Sequence, residues 1–346
     1  MTTTTSPALD PNGFLPRFIR FFTGLAVVAG FFSGANAAPR IAELNQTQID
    51  ARLAEENSPL RQFVTLLEES LLSGDISQAE VAVDRDAILS RATGGTSFEG
   101  DATVRQLFCD STHRAWNERG VTQDYAGTKF RFLRSRTLND RAGLLFRSSS
   151  SNGAINYALF TVNEQEPGDY RIADIFIVGL NEFLSDTLRR TWINVAAGFL
   201  GEEARNLKGV NIDYVSHINE IAALSRSLNQ GQFEEALKAG ARLPESVRRE
   251  RSVLLMRMEA AERISAEARN AIYAEWLAAY PDEMELPLKF ADFYVAQRRW
   301  DDAERVLRGL MGRLGGDAML KMELGTVLYR REYEQSLVTA SGLSAR

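Results

Sequence analysis

Toward its C-terminal end the chain returns to one helix-hairpin pattern about every 34 residues, and a period of that length predicts stacked pairs of helices. The fullest copy reads Phe290-Ala291 and Tyr294, then Trp300, Ala303, Leu307 and Leu310. Leu324-Gly325 and Leu328 take the same places one period later. Arg257 lies one period before Ala291 and is followed by Ala260, Tyr273, Trp276 and Pro281. Leu224 lies close to one further period before Arg257, with Gly231, Phe233 and Ala236 behind it. A hairpin needs small residues where its two helices cross and large ones where it meets its neighbour. Ala291, Ala303 and Gly325 fit the first role; Tyr273, Tyr294, Trp300 and Leu307 fit the second. Gly231 suits a turn that needs a positive φ, and Pro281 closes a helix because it cannot donate to the ladder. Arg257 stands where a small side chain is expected, which puts that crossing in question. A plain amphipathic bundle also spaces alanines and aromatics by three and four. The shared phase of the four copies is what favours repeats.

These residues resemble the tetratricopeptide repeat, a pair of antiparallel helices in roughly 34 residues. The resemblance implies an all-α repeat domain over residues 205–346 that binds another protein or peptide. It also implies a groove lined by the first helix of each pair. Carried onto this sequence, the groove slots are Arg251, Leu254 and Met258; Glu285, Leu288 and Asp292; Met319, Met322 and Thr326. The lysine and asparagine cluster with which chaperone-binding members hold a C-terminal carboxylate is missing from these slots. The methionines suit either an adaptable apolar groove or a core.

The first residues set the expected compartment. Arg17 and Arg20 precede an apolar run, Phe21 to Phe32, and small residues end at Ala35-Asn36-Ala37. That order is expected of a signal peptide over residues 1–37, cleaved after Ala37, in an exported or periplasmic protein. The run is short and glycine-broken for a membrane span, which takes about 20 apolar residues. Membrane contact is expected only through an uncleaved leader. Cys109 is the single cysteine, so no intrachain disulfide is available. Net charge is −6 for the whole chain; without Asp10, Arg17 and Arg20 it is −7, which suggests no nucleic-acid surface.

Between leader and repeats the pattern differs. Ile49, Leu53, Leu60, Phe63, Leu66, Leu67 and Leu71 recur at helical spacing, and Ile76 to Arg91 reads as a further helix. Gly94-Gly95 and Gly100 mark a loop. From Lys129 the period becomes two, giving candidate strands at 129–136, 142–148, 154–162 and 170–178. Short polar turns such as Asn139-Asp140 make neighbours antiparallel. Strict alternation would divide Phe130, Phe132, Leu144, Phe146, Tyr157, Leu159, Ile172 and Asp174 between the two faces, with Phe132 toward the core and Ile172, Asp174 and Phe176 together. A long helix at about 181–200 follows. Helices and then an antiparallel meander is an α+β layout, here over residues 38–200.

On Ile155-Asn156-Tyr157, the stretch Tyr170 to Val178 and Phe183 to Leu188, this region resembles the cone-shaped nuclear-transport-factor-like fold joined to tetratricopeptide-like repeats in exported bacterial proteins. It is more distantly similar to periplasmic phospholipid-shuttle proteins, at Ile177-Val178-Gly179 before a helix. The resemblance implies a curved sheet around helices, a pocket for a small apolar ligand or lipid as the alternative function, and a possible homodimer through the sheet. Such a fold by itself implies no activity.

The search for chemistry returns little. His113 and His217 are over a hundred residues apart, and neither stands in a nucleophile–histidine–carboxylate arrangement. Cys109 or Asp110 can share a helix face with His113, and Asp213 with His217. No Cys/His group has zinc spacing, and no glycine-rich loop leads from strand to helix with a lysine. Asp174, in mid-strand, is a general-base candidate or the ion-pair partner of Arg131, Arg134 or Arg147. Arg248-Arg249-Glu250-Arg251 is either a docking patch or a solvated helix start. The expectation is a non-enzymatic exported scaffold with no cofactor, metal or catalytic residue.

Overall fold

The computed structural model describes residues 41–95, 102–150, 155–200, 211–281 and 288–344. The expected signal peptide, residues 1–37, lies outside them, as does the groove slot Glu285. Among the described residues no helix is long and apolar enough to cross a membrane.

Five short helices come first. Asn45 caps α1 (Gln46–Ala54) through a reciprocal capping box with Gln48. Ser58 caps α2 (Pro59–Ser73), whose Pro59 at the first position needs no donor. The buried stripe of α2, Leu60, Val64, Leu67 and Leu71, follows the helical period read from sequence. The single helix expected at 76–91 is two: α3 (Ser77–Val81) and α4 (Arg85–Thr93). Between them Val83 bridges to Ile172, and Asp84 caps α4 through Ala87 N. Helix α5 (Ala102–Arg119) completes the group.

The sheet has five antiparallel strands in chain order: β1 (Lys129–Leu138), β2 (Arg141–Ser149), β3 (Ile155–Glu166), β4 (Asp169–Ile177) and β5 (Glu182–Phe183). Asn139 and Asp140 both take positive φ, 47° and 63°, as a two-residue hairpin turn of matching twist requires. One face carries Phe130, Phe132, Phe146, Ala158 and Phe160, as the register pairs them. There Phe130 stacks on Phe146 at 4.6 Å, and Tyr125 meets Phe160 at 5.8 Å. Strict alternation is broken at three points, two of which decide where charged side chains face. One, between Phe132 and Arg134, moves Arg134 and Arg136 opposite Leu145 and Gly143, onto the face that carries Arg147. The other pairs Ile172 with Val162 but Asp174 with Thr161, so Ile172 and Asp174 point to opposite faces. The outer edge of β1 is covered: Glu68 accepts from Phe132 N, and Gln46 bonds Ser135 and Thr137.

Helix α6 (Leu184–Leu200) leaves the sheet and buries Trp192 against Phe108 at 5.3 Å. After it come α7 (Ile212–Ser216), α8 (Ile218–Asn229), α9 (Phe233–Arg242), α10 (Glu245–Arg248), α11 (Arg251–Glu262), α12 (Ala266–Ala279), α13 (Leu288–Ala296), α14 (Trp300–Leu314) and α15 (Ala318–Ser344). Helices α8 and α9, α11 and α12, α13 and α14 pack as neighbouring pairs, and α15 packs on α14. Gly231 turns the first pair at φ 73°. The fourth signature does not form a hairpin: α15 runs unbroken through 27 residues, because no glycine or proline interrupts Thr326 to Ser341. Gly325 accordingly sits at no crossing, and an added Cβ would meet nothing within 4 Å.

Candidate functional site

Asp174 is fully buried, and both of its carboxylate oxygens are taken. Its Oδ1 accepts from Ile175 N at 2.9 Å and Ser185 N at 3.2 Å; its Oδ2 accepts from Arg141 at 2.7 Å and from the Ser185 hydroxyl. Arg141 also reaches Glu43 at 3.0 Å and lies 3.8 Å over the Phe183 ring. Glu43 in turn holds Thr161 at 2.6 Å and Arg91 at 2.9 Å. Burial pushes the Asp174 carboxyl up, with Arg141 and Ser185 opposing. Burial acts the same way on Glu43, but Arg141, Thr161 and Arg91 outweigh it and hold that carboxyl low. A carboxylate with no exposed surface and four donors is a structural hub, not a general base. Its ion-pair partner is Arg141, not Arg131, Arg134 or Arg147.

The other chemical candidates are equally occupied. Burial pushes the Cys109 thiol up to about 11, so it carries almost no thiolate at neutral pH. His113 stands 3.3 Å from Asp86, whose side chain is 88% exposed, and His217 Nδ1 lies 2.8 Å from the backbone oxygen of Asp213. A cleft of about 710 Å³ gathers Glu80, Asp84, Asp86, Glu166 and Asp169. There Glu80 pairs with Arg85 at 2.8 Å, Asp169 pairs with Arg171 at 3.1 Å, and Asp84 receives Asn163 and Gln165. Among the described residues no group of histidine, cysteine and carboxylate side chains could hold a metal. The basic run is not one patch: Arg249 pairs with Glu245, while Arg251 lies 4.7 Å over the Tyr280 ring and donates to Leu180 O.

The expected groove slots are only partly open. Helix α11 is enclosed from Val253 to Ala261, so Leu254 and Met258 belong to the core and offer no surface to a partner. Leu288 and Met319 are half-buried, and Asp292 and Thr326 are exposed. Met322 is 54% exposed. The open surface continues where the slot pattern did not point. Tyr329, Tyr333 and Leu337 are 69%, 54% and 50% exposed, and the two tyrosine rings stack at 6.3 Å. With Met322 and Thr326 they form a stripe along one side of α15; Leu320, Leu324 and Val327 bury the opposite side. The spacing of Met322, Tyr329, Tyr333 and Leu337 is legible in the sequence, but the slots carried over from the repeat stop at Thr326.

The array is clamped to the sheet. Arg134 donates to the carbonyls of Gly315 and Gly316 at 2.5 and 2.7 Å, and Arg136 to those of Arg313 and Gly312 at 2.8 and 2.9 Å. The carbonyls of Gly312, Arg313 and Gly315 belong to the negative end of α14 and that of Gly316 follows its cap, so two guanidinium groups both cap and neutralise this end. Arg147 holds both oxygens of Asp317 at 2.7 Å, and Tyr157 donates to one of them at 2.8 Å. This face of the sheet is thereby occupied by the α14–α15 turn. Comparison of the chain with protein-family models, curated proteins and solved structures finds no match.

Proposed function

We propose that the protein is an exported, non-enzymatic scaffold whose C-terminal helices, built as tetratricopeptide-like hairpins, hold another polypeptide. The observation that carries this reading is the apolar side of α15, where Met322, Tyr329, Tyr333 and Leu337 are each at least half exposed along about four helical turns. A contiguous strip of that kind fits the apolar side of a second helix. The carboxylates and the thiol that could do chemistry are satisfied or buried, which favours a scaffold over an enzyme. The space between sheet and helices is filled by Phe108, Trp116, Tyr125, Phe146 and Phe160, all no more than 1% exposed, which favours a scaffold over a lipid carrier. Export rests on the order Arg17, Arg20, apolar run, Ala35-Asn36-Ala37.

The test is site-specific photocrosslinking in the native host. A photoreactive residue at Tyr329 should give a discrete polypeptide adduct. The same residue at Val81, 65% exposed on the α+β part, should give none. Equal yields at both positions, or no adduct at Tyr329, would remove the reading.

A further inference from the structure

The charges of α15 divide by direction. Those that look toward α14 are paired: Arg331 with Asp301 and Glu304 at 3.0 and 2.7 Å, and Glu334 with Trp300 Nε1 at 3.0 Å and Arg298 at 3.4 Å. Those that flank the open stripe are Lys321, Glu323, Arg330 and Glu332, and none makes an ion pair or side-chain hydrogen bond among the described residues. Glu323 is half-buried; burial pushes its carboxyl up and only the field of Arg330 opposes.

At about 100° per residue, Glu323 and Arg330 stand on one flank of the stripe, Lys321 and Glu332 on the other. Each flank therefore carries one positive and one negative charge, in opposite order along the helix. That arrangement is self-complementary under a two-fold axis perpendicular to the helix, which brings each flank against its own copy. One antiparallel register satisfies both flanks. Lys321 then faces Glu332 of the second copy, Glu323 faces Arg330 of the second copy, and each contact occurs twice. Both pairs put the axis in the same place, between Thr326 and Val327. There the stripe also interlocks: Tyr329 falls between Met322 and Thr326 of the second copy, beside Gly325, whose missing side chain leaves open space.

We propose that α15 is a dimerisation helix that packs antiparallel against α15 of a second copy of this chain, about a two-fold axis between Thr326 and Val327. The inference rests on the reading of this stripe as a polypeptide-binding surface and names the polypeptide. The contact is one helix wide, well below the area of a standard permanent interface, so the dimer is reversible.

Sedimentation of the purified protein over roughly 1 to 200 µM tests it, a range that spans a micromolar equilibrium. The expected result is a monomer–dimer equilibrium. Lys321→Glu and Glu332→Lys should each weaken it on the order of tenfold, because two attractions become two repulsions. Mixing the two variants, or combining both substitutions in one chain, should restore it, since like then again faces unlike. Both positions are exposed, so the fold should survive, and circular dichroism checks this. A monomer throughout overturns the proposal, as does a dimer indifferent to either reversal or a reversal that the mixture does not rescue. A monomer that still gives a crosslinked adduct of another polypeptide at Tyr329 overturns the dimer and leaves the binding reading standing. A monomer without any adduct removes both.

Discussion

Arg257 occupies a slot where a helix crossing expects a small side chain, and the space comes from the facing helix instead. A Cβ on Gly240 would lie 2.7 and 2.8 Å from Cγ and Cδ of Arg257. The arginine cannot swing away, because it is only 4% exposed and its guanidinium is held by both oxygens of Glu275 at 2.6 and 2.9 Å. Gly240→Ala should therefore destabilise by about 1–3 kcal/mol despite the better helix propensity of alanine. Gly325 meets open space within its own chain, and Gly325→Ala, measured at low protein concentration, should stabilise by up to about 1 kcal/mol. Urea unfolding of the two variants decides; the same sign for both would mean that the crossing is misplaced. Sequence could not show the exchange, because the residue that makes room for Arg257 lies in another hairpin. Asp174 teaches the same lesson: its partner Arg141 is 33 residues away, across two strand turns.

The β1 bulge decides what two arginines do. Strict alternation would put Arg134 and Arg136 beside Phe132; the extra residue Leu133 turns them toward α14. Deleting Leu133 would leave this register intact, so the test is to replace the arginines: Arg134→Ala with Arg136→Ala should strip the α14 carbonyls of their donors and cost about 2–3 kcal/mol, as several charge-assisted bonds are lost. A double variant with unchanged thermal stability and protease resistance would contradict this. The strands themselves were legible, since Asn139-Asp140 and the polar turns fix antiparallel neighbours; their ends fall within two residues of the expected ones, except that β3 runs four residues further, to Glu166. The α2 stripe was legible for the same reason: one buried face imposes one period. Bulges were not, because they insert a residue without changing composition. The break at Val83-Asp84 was hidden too, as it depends on a backbone bridge to Ile172. The hairpin reading of α15 fails because the period carries the expectation of a turn that the local residues do not supply.

At the scale of the molecule, the Arg147–Asp317–Tyr157 cluster joins the helical array to the sheet. Burial acts to raise the Asp317 carboxyl, but the hydrogen bonds from Arg147 and Tyr157 and the charge of Arg147 outweigh it and hold the group below the usual carboxylate range. Its contribution to stability is thus complete above about pH 4, the ordinary aspartate value, and is lost as pH falls through the depressed folded-state value. Asp317→Asn should cost about 3 kcal/mol near neutral pH, since it leaves Arg147 with little exposure and no counter-charge, and should flatten the acid limb of the stability curve. Replacing both, Arg147→Met with Asp317→Leu, should be near neutral; a double variant as weak as the single one would show that packing rather than charge makes the joint. A clamped array presents α15 in one fixed direction, outward, which is what a surface that pairs with a copy of itself requires. The most direct test is disulfide trapping. Thr326→Cys places a thiol beside the two-fold axis, while Cys109 is half-buried with its thiol pushed up to about 11 and stays inert. Mild oxidation should link two chains rapidly through position 326 and not through Gln335→Cys, exposed but turned away from the stripe. Equal trapping at both positions, or none at 326, would contradict the account.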